Sequence, residues 1–322
     1  MKPRILVVGS FVMDLIATTS KFPSAGETII GNDFSTAPGG KGANQAIAAA
    51  RLGAAVSMVG KVGDDSFGRE MLDSANKSGV DTSNVTVSRT RPSAVGHIQI
   101  QTNEQGTENR ILVIPGANMD ITPENVGFLE EEIKNYDMVM LQLEIPMEIN
   151  CLVAKYAKAA GVPVMLNPAP ADKIPAELLS CLTYISPNEH EAAIITGIEP
   201  KGEEGIRACV SEMQKTGVEN VIITLGKEGC AFCNGETVII SPCVKAEKVV
   251  DPTAAGDSFM GAFCTAVSAG IDIKNALLFA NCVGSITVSK MGAQTSLPIL
   301  DEVFELMNSR GFDVRPFEAL KG

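Results

Sequence analysis

Short apolar runs alternate with helical periodicities along most of the chain. Strands are predicted at residues 5–8, 56–59, 138–141, 164–166, 184–185 and 221–224. Helices are predicted between them, at 44–52, 67–78, 149–160 and 205–216. This βαβ rhythm argues for an α/β fold, a doubly wound and mostly parallel sheet with helices on both faces. Two later strands, near 231–232 and 238–240, flank Asn234-Gly235, a strong tight-hairpin signal. The rest of the pattern is helical, at 257–268, 273–289 and 299–309.

Two segments, 15–38 and 94–115, break the rhythm. In the second, His97-Ile98-Gln99-Ile100-Gln101-Thr102 alternates polar and apolar residues, as strands with one wet face do. Such strands do not belong in the centre of a doubly wound sheet. They suit either a small separate sheet, a lid over the binding cleft, or an ordinary edge hairpin. No internal repeat, low-complexity tract or long linker is visible, so residues 1–322 read as one domain carrying that appendage.

Composition narrows the function classes. Of 322 residues, 45% are apolar and 20% charged, which suits a globular chain able to bury a sizeable core. No apolar run reaches the roughly 18 residues of a membrane span. The N-terminus runs straight into the first predicted strand without a signal-peptide pattern, so a cytoplasmic enzyme is expected. The net charge of −12, with no basic stripe, argues against nucleic acid and points to small-molecule partners. Cys230 and Cys233 form a C-x-x-C, but no second pair stands at zinc-ligand spacing. They fall in a predicted strand, where positions i and i+3 face opposite sides, so reduced core thiols are the better reading. His97 and His190 are the only histidines, which leaves multi-histidine mechanisms little to stand on.

Chemistry concentrates where small residues meet helix starts. Asp251-Pro252-Thr253-Ala254-Ala255-Gly256-Asp257 precedes an apolar helix. Unpaired N–H groups and the positive end of the helix dipole lie at such a start, and Ala255 and Gly256 leave room for a phosphate. Asp257 could take a proton from an attacking hydroxyl beside that anion hole, or could simply cap the helix. No G-x-x-x-x-G-K-[ST] loop and no protein-kinase motif set is present. Gly39-Gly40-Lys41-Gly42-Ala43-Asn44-Gln45 offers close backbone approach with donors at Lys41 and Asn44, or a plain turn. Gly9-Ser10-Phe11-Val12-Met13-Asp14 puts a carboxylate just past the first strand, in the usual ligand crevice, or in a solvated turn. Asn188-Glu189-His190-Glu191 could set an amide and a carboxylate near a magnesium-bound phosphate, or could cap a helix.

In their order and spacing these motifs resemble the ribokinase family, the PfkB-type carbohydrate kinases, from about residue 5 to 298. Gly39–Asn44 looks like the family's first signature, Ala254–Asp257 like its second, and Asn188–Glu191 like its N-x-x-E motif. Gln142-Leu143-Glu144, Asn167-Pro168-Ala169-Pro170, Thr224-Leu225-Gly226 and Gly292-Ala293-Gln294 are also similar to it. The resemblance implies ATP-dependent phosphorylation of D-ribose at the 5-hydroxyl, with Asp257 as general base and the backbone of Ala254, Ala255 and Gly256 as anion hole. It implies sugar contacts from Ser10, Val12, Asp14, Gly39, Gly40, Lys41, Asn44 and Glu144. It implies an ATP site lined by Asn188, Thr224, Gly226, Gly229, Gly256 and Asn281, with Glu191 acting through magnesium and its waters. It further implies a potassium site at Asp251, Thr253, Thr287, Lys290, Gly292 and Ser296, where Lys290 would contribute its carbonyl. The odd segments match the family's lid, which also builds a homodimer.

Three positions depart from the family pattern. Val12 stands where Asn is common and cannot hydrogen-bond a sugar hydroxyl, which bears on ribose against deoxyribose or another sugar. Met260 replaces a common Asn and reads as helix packing. Pro252 replaces a common Thr, where a missing N–H is tolerable before the helix. A kinase for deoxyribose, another sugar or a nucleoside is the alternative within the class. A sugar-binding protein without catalysis is the alternative outside it, and the intact Ala254–Asp257 argues against that.

Overall fold

The computed structural model describes residues 2–103, 106–235 and 237–321. The large sheet contains β1 (Arg4–Val8), β4 (Ala55–Gly63), β5 (Val80–Ser88), β8 (Met138–Gln142), β9 (Val164–Asn167), β10 (Tyr184–Ile185), β11 (Asn220–Thr224), β12 (Cys230–Asn234) and β13 (Thr237–Ser241). Its order is β13-β12-β11-β10-β9-β8-β1-β4-β5. From β5 to β11 all pairings are parallel, and only β12 and β13 run antiparallel. The doubly wound, mostly parallel α/β fold expected from the βαβ rhythm is therefore present. The central strands are buried on both faces: Ile5 and Val7 of β1 enter one core, Leu6 and Val8 the other. That is why these strands read as nearly continuous apolar runs. Asn234 lies opposite Thr237, closing the tight hairpin. Cys230 and Cys233 point into different cores on opposite faces of the sheet, as free thiols.

Chain order reverses at β1. One branch runs outward through β4 and β5, the other through β8, β9, β10 and β11. A crevice opens outside the carboxyl ends of strands at such a switch point. Ser10 follows β1, Glu144 follows β8, Asn167 ends β9 and Thr224 ends β11, so the sheet alone delivers four candidate residues to one rim.

A second sheet holds β2 (Val12–Thr19), β3 (Asp33–Gly39), β6 (Val95–Asn103) and β7 (Gly106–Ile114), ordered β3-β2-β6-β7. It is built from the two segments that broke the rhythm, though β2 starts three residues earlier than expected. β7 is exposed along its length, including Ile111, Leu112, Val113 and Ile114.

Two helices set the distance between the motif segments. Lys41–Arg51 carries the first motif and Ala255–Ser268 the second. They cross closely because Gly261 has no side chain: a methyl there would lie 2.7 Å from Ala48 Cβ and 2.9 Å from Ala49 N. Ala46, Ala48 and Ala49 are buried in that contact region. Phe263 on the second helix packs edge-on against Tyr184 of β10, ring centroids 5.6 Å apart, which contributes about 1 kcal/mol beyond area burial.

Candidate active site

The crossing of those two helices brings residues more than two hundred positions apart into hydrogen-bond contact. Asn44 Nδ2 donates to Asp257 Oδ2 at 2.9 Å, and Gln45 Nε2 donates to Asp257 Oδ1 at 3.0 Å. Asp257 is buried, yet its side chain caps nothing. The cap position is Ala254, which supplies no side-chain bond. The capping alternative for Asp257 is thereby set aside, its carboxylate being held by two side-chain amides instead. Neither Gln45 nor Asn167, which Gln45 also contacts at 3.2 Å, is singled out by spacing. Their only sequence signal is membership of the quoted motifs.

Ala254 adopts φ 60°, ψ 9°, a left-handed conformation that costs a residue with a Cβ about 1–2 kcal/mol. It is the only non-glycine with positive φ among the described residues. Beyond it the chain enters the helix with its first amides bare. Ala255 N–H reaches back to Pro252 O at 3.2 Å, and the helical ladder begins at Ser258 N–H, 2.8 Å from Ala254 O. Gly256 and Asp257 N–H have no acceptor among the described residues. Gly256 is exposed, and a methyl on its Cα would meet nothing within 4 Å.

This helix start separates two cavities. The smaller, about 220 Å³, is lined by Lys41, Asn167, Glu191 and Asp257 among others. The larger, about 1010 Å³, is lined by Asn188, Thr224, Gly226, Gly229 and Asn281, the residues expected to hold ATP, and by apolar Val244, Val249, Phe259 and Val288. Asn188, Thr224, Pro252, Ala255 and Gly256 border both. Gly229 is dictated by close approach, since a methyl there would lie 2.1 Å from Ser241 O. Asn281 Nδ2 donates to Ser241 Oγ at 2.9 Å.

The remaining sugar-motif residues gather beside the smaller cavity. Ser10 Oγ donates to Glu144 Oε2 at 2.5 Å, and the same oxygen accepts Lys41 N–H at 3.0 Å. Gly42 N–H donates to Ser10 Oγ at 3.2 Å. Of the expected sugar contacts only Lys41 and Asp257 line a cavity; Ser10, Val12, Asp14, Gly39, Gly40, Asn44 and Glu144 line neither, and Val12 and Asp14 sit at the joint with the small sheet, pairing with Gly39 and Ala37. Gly96 of β6 leaves room for Asp14, because a methyl there would lie 2.5 Å from Asp14 Oδ1 and 3.7 Å from Val12 Cγ1.

One ammonium serves several carboxylates. Burial works against the Lys41 charge, but Asp257, Glu144 and Glu191 outweigh it and hold its value above that of an ordinary lysine. Burial, reinforced by Glu144, pushes Asp14 up to about 6. Burial also raises Glu191, only partly offset by the Asn188 N–H and Lys41. A phosphate entering this acidic surround needs a further cation. Glu191 fits magnesium held through waters: Oε2 takes Asn188 N–H at 2.9 Å, and Oε1 has no donor among the described residues. Asn188 Oδ1 accepts Glu191 N–H at 2.8 Å, so the helix cap exists and coexists with the cavity position.

Of the residues expected to hold potassium, Asp251, Thr253 and Gly292 are joined by hydrogen bonds, whereas the Thr287 hydroxyl donates to Ser258 Oγ and the Ser296 hydroxyl to Ala293 O. Asp251 Oδ2 accepts Gly292 N–H at 2.9 Å, and Asp251 Oδ1 accepts Thr253 N–H at 2.9 Å. Val250 and Asp251 N–H both reach Val288 O, at 2.7 and 3.2 Å. The Lys290 ammonium is turned to Glu302, 2.5 Å away, which leaves the oxygen donors of this loop unopposed. A carboxylate with backbone carbonyls is a donor set suited to a hard cation. Among the described residues no cluster of three or more His, Cys, Asp or Glu could hold a metal, and no helix is long and apolar enough to cross a membrane.

Comparison with known proteins bears on the family and the fold. The model of the pfkB family carbohydrate kinases matches residues 2–300. The chain is 42% identical over 305 residues to a ribokinase of Bacillus subtilis (strain 168), covering 95% of this chain and 99% of that one. It is 33% identical over 305 residues to a deoxyribokinase of Salmonella typhi, covering 94% and 98%. Its fold is similar to that of Arabidopsis thaliana ribokinase complexed with ribose and ATP, with a TM-score of 0.88 at 35% identity, covering 95% and 99%.

Proposed function

The chain belongs to the pfkB family of carbohydrate kinases, and from that premise we propose that it transfers the γ-phosphoryl group of ATP to the 5-hydroxyl of D-ribose. One observation carries the reading: two cavities meet at bare helix amides, with the Asp257 carboxylate in the wall of the smaller. ATP occupies the larger cavity with its phosphates toward Gly256. Ribose lies on the side of Ser10, Asp14, Lys41, Asn44 and Glu144. Asp257 takes the proton of the 5-hydroxyl as the new O–P bond forms, and the γ-phosphorus–oxygen bond breaks with its electron pair left on ADP. The amides of Gly256 and Asp257, at the positive end of the helix, donate to the phosphoryl oxygens in flight. Ala254 and Ala255 shape that turn, Ala255 with its N–H lent to Pro252.

Glu191 would hold magnesium through its water shell, with Asn188 in the ATP site beside it, and magnesium when bound neutralises phosphate charge. Asp251, Thr253, Thr287, Lys290, Gly292 and Ser296 would hold potassium beside the turn that shapes the anion hole. Faster turnover in potassium than in an inert large cation, with a cation-specific rise in melting temperature, is expected. Equal values in both cations count against this site. The exposed apolar run on β7 supports a homodimer through the small sheet, which light scattering tests directly. Eight free thiols suit a reducing, cytoplasmic setting.

A second reading has its own observation. Val12 is buried beside Asp14 and Gly96 and offers no side-chain hydrogen bond, so a sugar lacking a hydroxyl here loses less than it would beside a polar side chain, which favours 2-deoxyribose. A coupled ADP-release assay with pentoses, 2-deoxyribose, hexoses and nucleosides ranks them, and phosphorus NMR of the product fixes the hydroxyl. Turnover of nucleosides or hexoses without turnover of either pentose would sink both readings.

A further inference from the structure

Gln45 is fully buried and pinned at three points. Its Nε2 donates to Asp257 Oδ1 at 3.0 Å and to Asn167 Oδ1 at 3.2 Å, and its Oε1 accepts from Gln142 Nε2 at 2.8 Å. Both hydrogens of the amide are used, so a flipped amide would set oxygen against carboxylate, and only one orientation is stable. Gln142 is anchored in turn, its backbone oxygen accepting Asn150 Nδ2 at 2.8 Å. Asn167 Nδ2 donates to Ser186 O at 3.1 Å. The amide of residue 45 thus ties Asp257 to the carboxyl ends of β8 and β9, the most rigid part of the rim.

We infer that Gln45 is a positioning residue for phosphoryl transfer, holding Asp257 by a relay of neutral amides that runs Asn150, Gln142, Gln45. The inference rests on the reading of Asp257 as the base. With Asn44 on Oδ2 and Gln45 on Oδ1, each carboxylate oxygen keeps one lone pair for a hydroxyl, and the plane of the group is set. Asn44 alone leaves the carboxylate free to turn about that single contact. A neutral donor also suits the surroundings. Lys41 and Glu191 already face Asp257 electrostatically, and a second cation at residue 45 would pair with the base and quench it. Gln45 supplies a hydrogen bond without changing the charge that a polyphosphate meets.

Gln45→Met keeps the length and removes every polar contact. The expected result is a kcat about 10- to 100-fold lower, the cost of a misplaced reacting group, with KM for sugar and ATP within about threefold of wild type. Gln142→Met, whose only side-chain hydrogen bond goes to Gln45, lowers kcat less, and the double variant is no worse than Gln45→Met alone because both act through one contact. Additive losses, a loss confined to KM, or wild-type kcat in Gln142→Met would each overturn the relay. If Gln45→Met does not fold, Gln45→Asn, which keeps the amide but falls short of Asp257, replaces it in the same cycle. Asp257→Asn, run alongside, separates the two ideas. An active Asp257→Asn removes the base reading, whereas an inactive one beside a fully active Gln45→Met removes only the positioning role.

Discussion

Alanine in place of Gly256 adds one methyl group to the first turn of the helix Ala255–Ser268. Gly256 does not need a left-handed backbone, and the added carbon would meet no protein atom within 4 Å. The folded state therefore accepts it without strain, while the unfolded chain loses freedom, a gain of about 0.4–1 kcal/mol. For a chain of this size the melting temperature should rise by about 0.5–1.5 °C. Activity should move the other way. Gly256 lines both cavities, so the added methyl stands in the open space between them where the transferring phosphoryl group must lie, and an oxygen there needs about 3.5 Å from that carbon. The oxygen is displaced from the donor, and loss of one such donor costs about 10²–10³-fold in kcat, or about 2.7–4 kcal/mol. Calorimetry and the ADP-release assay on one preparation measure both quantities. A variant that is stabilised and fully active would refute the phosphate cradle; a destabilised one would refute the open space around the glycine.

Other outcomes follow from the same geometry. Asp257→Asn should lower kcat by about 10²–10⁴-fold at neutral pH, and near-normal turnover rules out residue 257 as the base. Ala254→Gly releases the left-handed alanine and should stabilise the fold by about 1 kcal/mol in a denaturant titration without raising kcat; an unchanged midpoint would mean the turn is not strained. Asp14, raised from 3.8 to about 6, binds a proton in the folded state that the unfolded chain has released, so its ionisation penalty grows as pH climbs through that window and is complete above it. Asp14→Asn should then be more stable than wild type at pH 7, by at most about 3 kcal/mol, and equal stability would show that the carboxylate is not penalised. In the wild type, KM for sugar should rise as pH falls through about 6, with KM for ATP flat.

Periodicity sufficed for the parallel strands because both faces of the sheet are buried, and runs such as Ile5–Val8 admit no other reading. It missed β5, whose Asp81, Ser83 and Asn84 break the apolar pattern at the sheet edge. It began β2 late because Val12 and Met13 look like a continuation of the glycine turn rather than a strand. Spacing alone left Asp257 and Asn188 open between cap and site. Only tertiary contact settled that Asp257 caps nothing and that Asn188 both caps its helix and borders the two cavities. Gln45, Gln142 and Asn167 carried no local signal, since a glutamine in an alanine-rich helix looks the same whether it faces water or a carboxylate 212 positions away.

Gly261 stands well outside both cavities, yet the whole constellation hangs on its missing side chain. The clearance between the two crossing helices acts as a shim: any group inserted there becomes a wedge that parts Asn44, Gln45 and Lys41 from Asp257, while the sheet and most of the wall of the larger cavity stay in place. Inactivating substitutions in this chain should therefore be sought along the seam between those helices as well as around the ligands, and a protein damaged there would still bind what it could no longer convert.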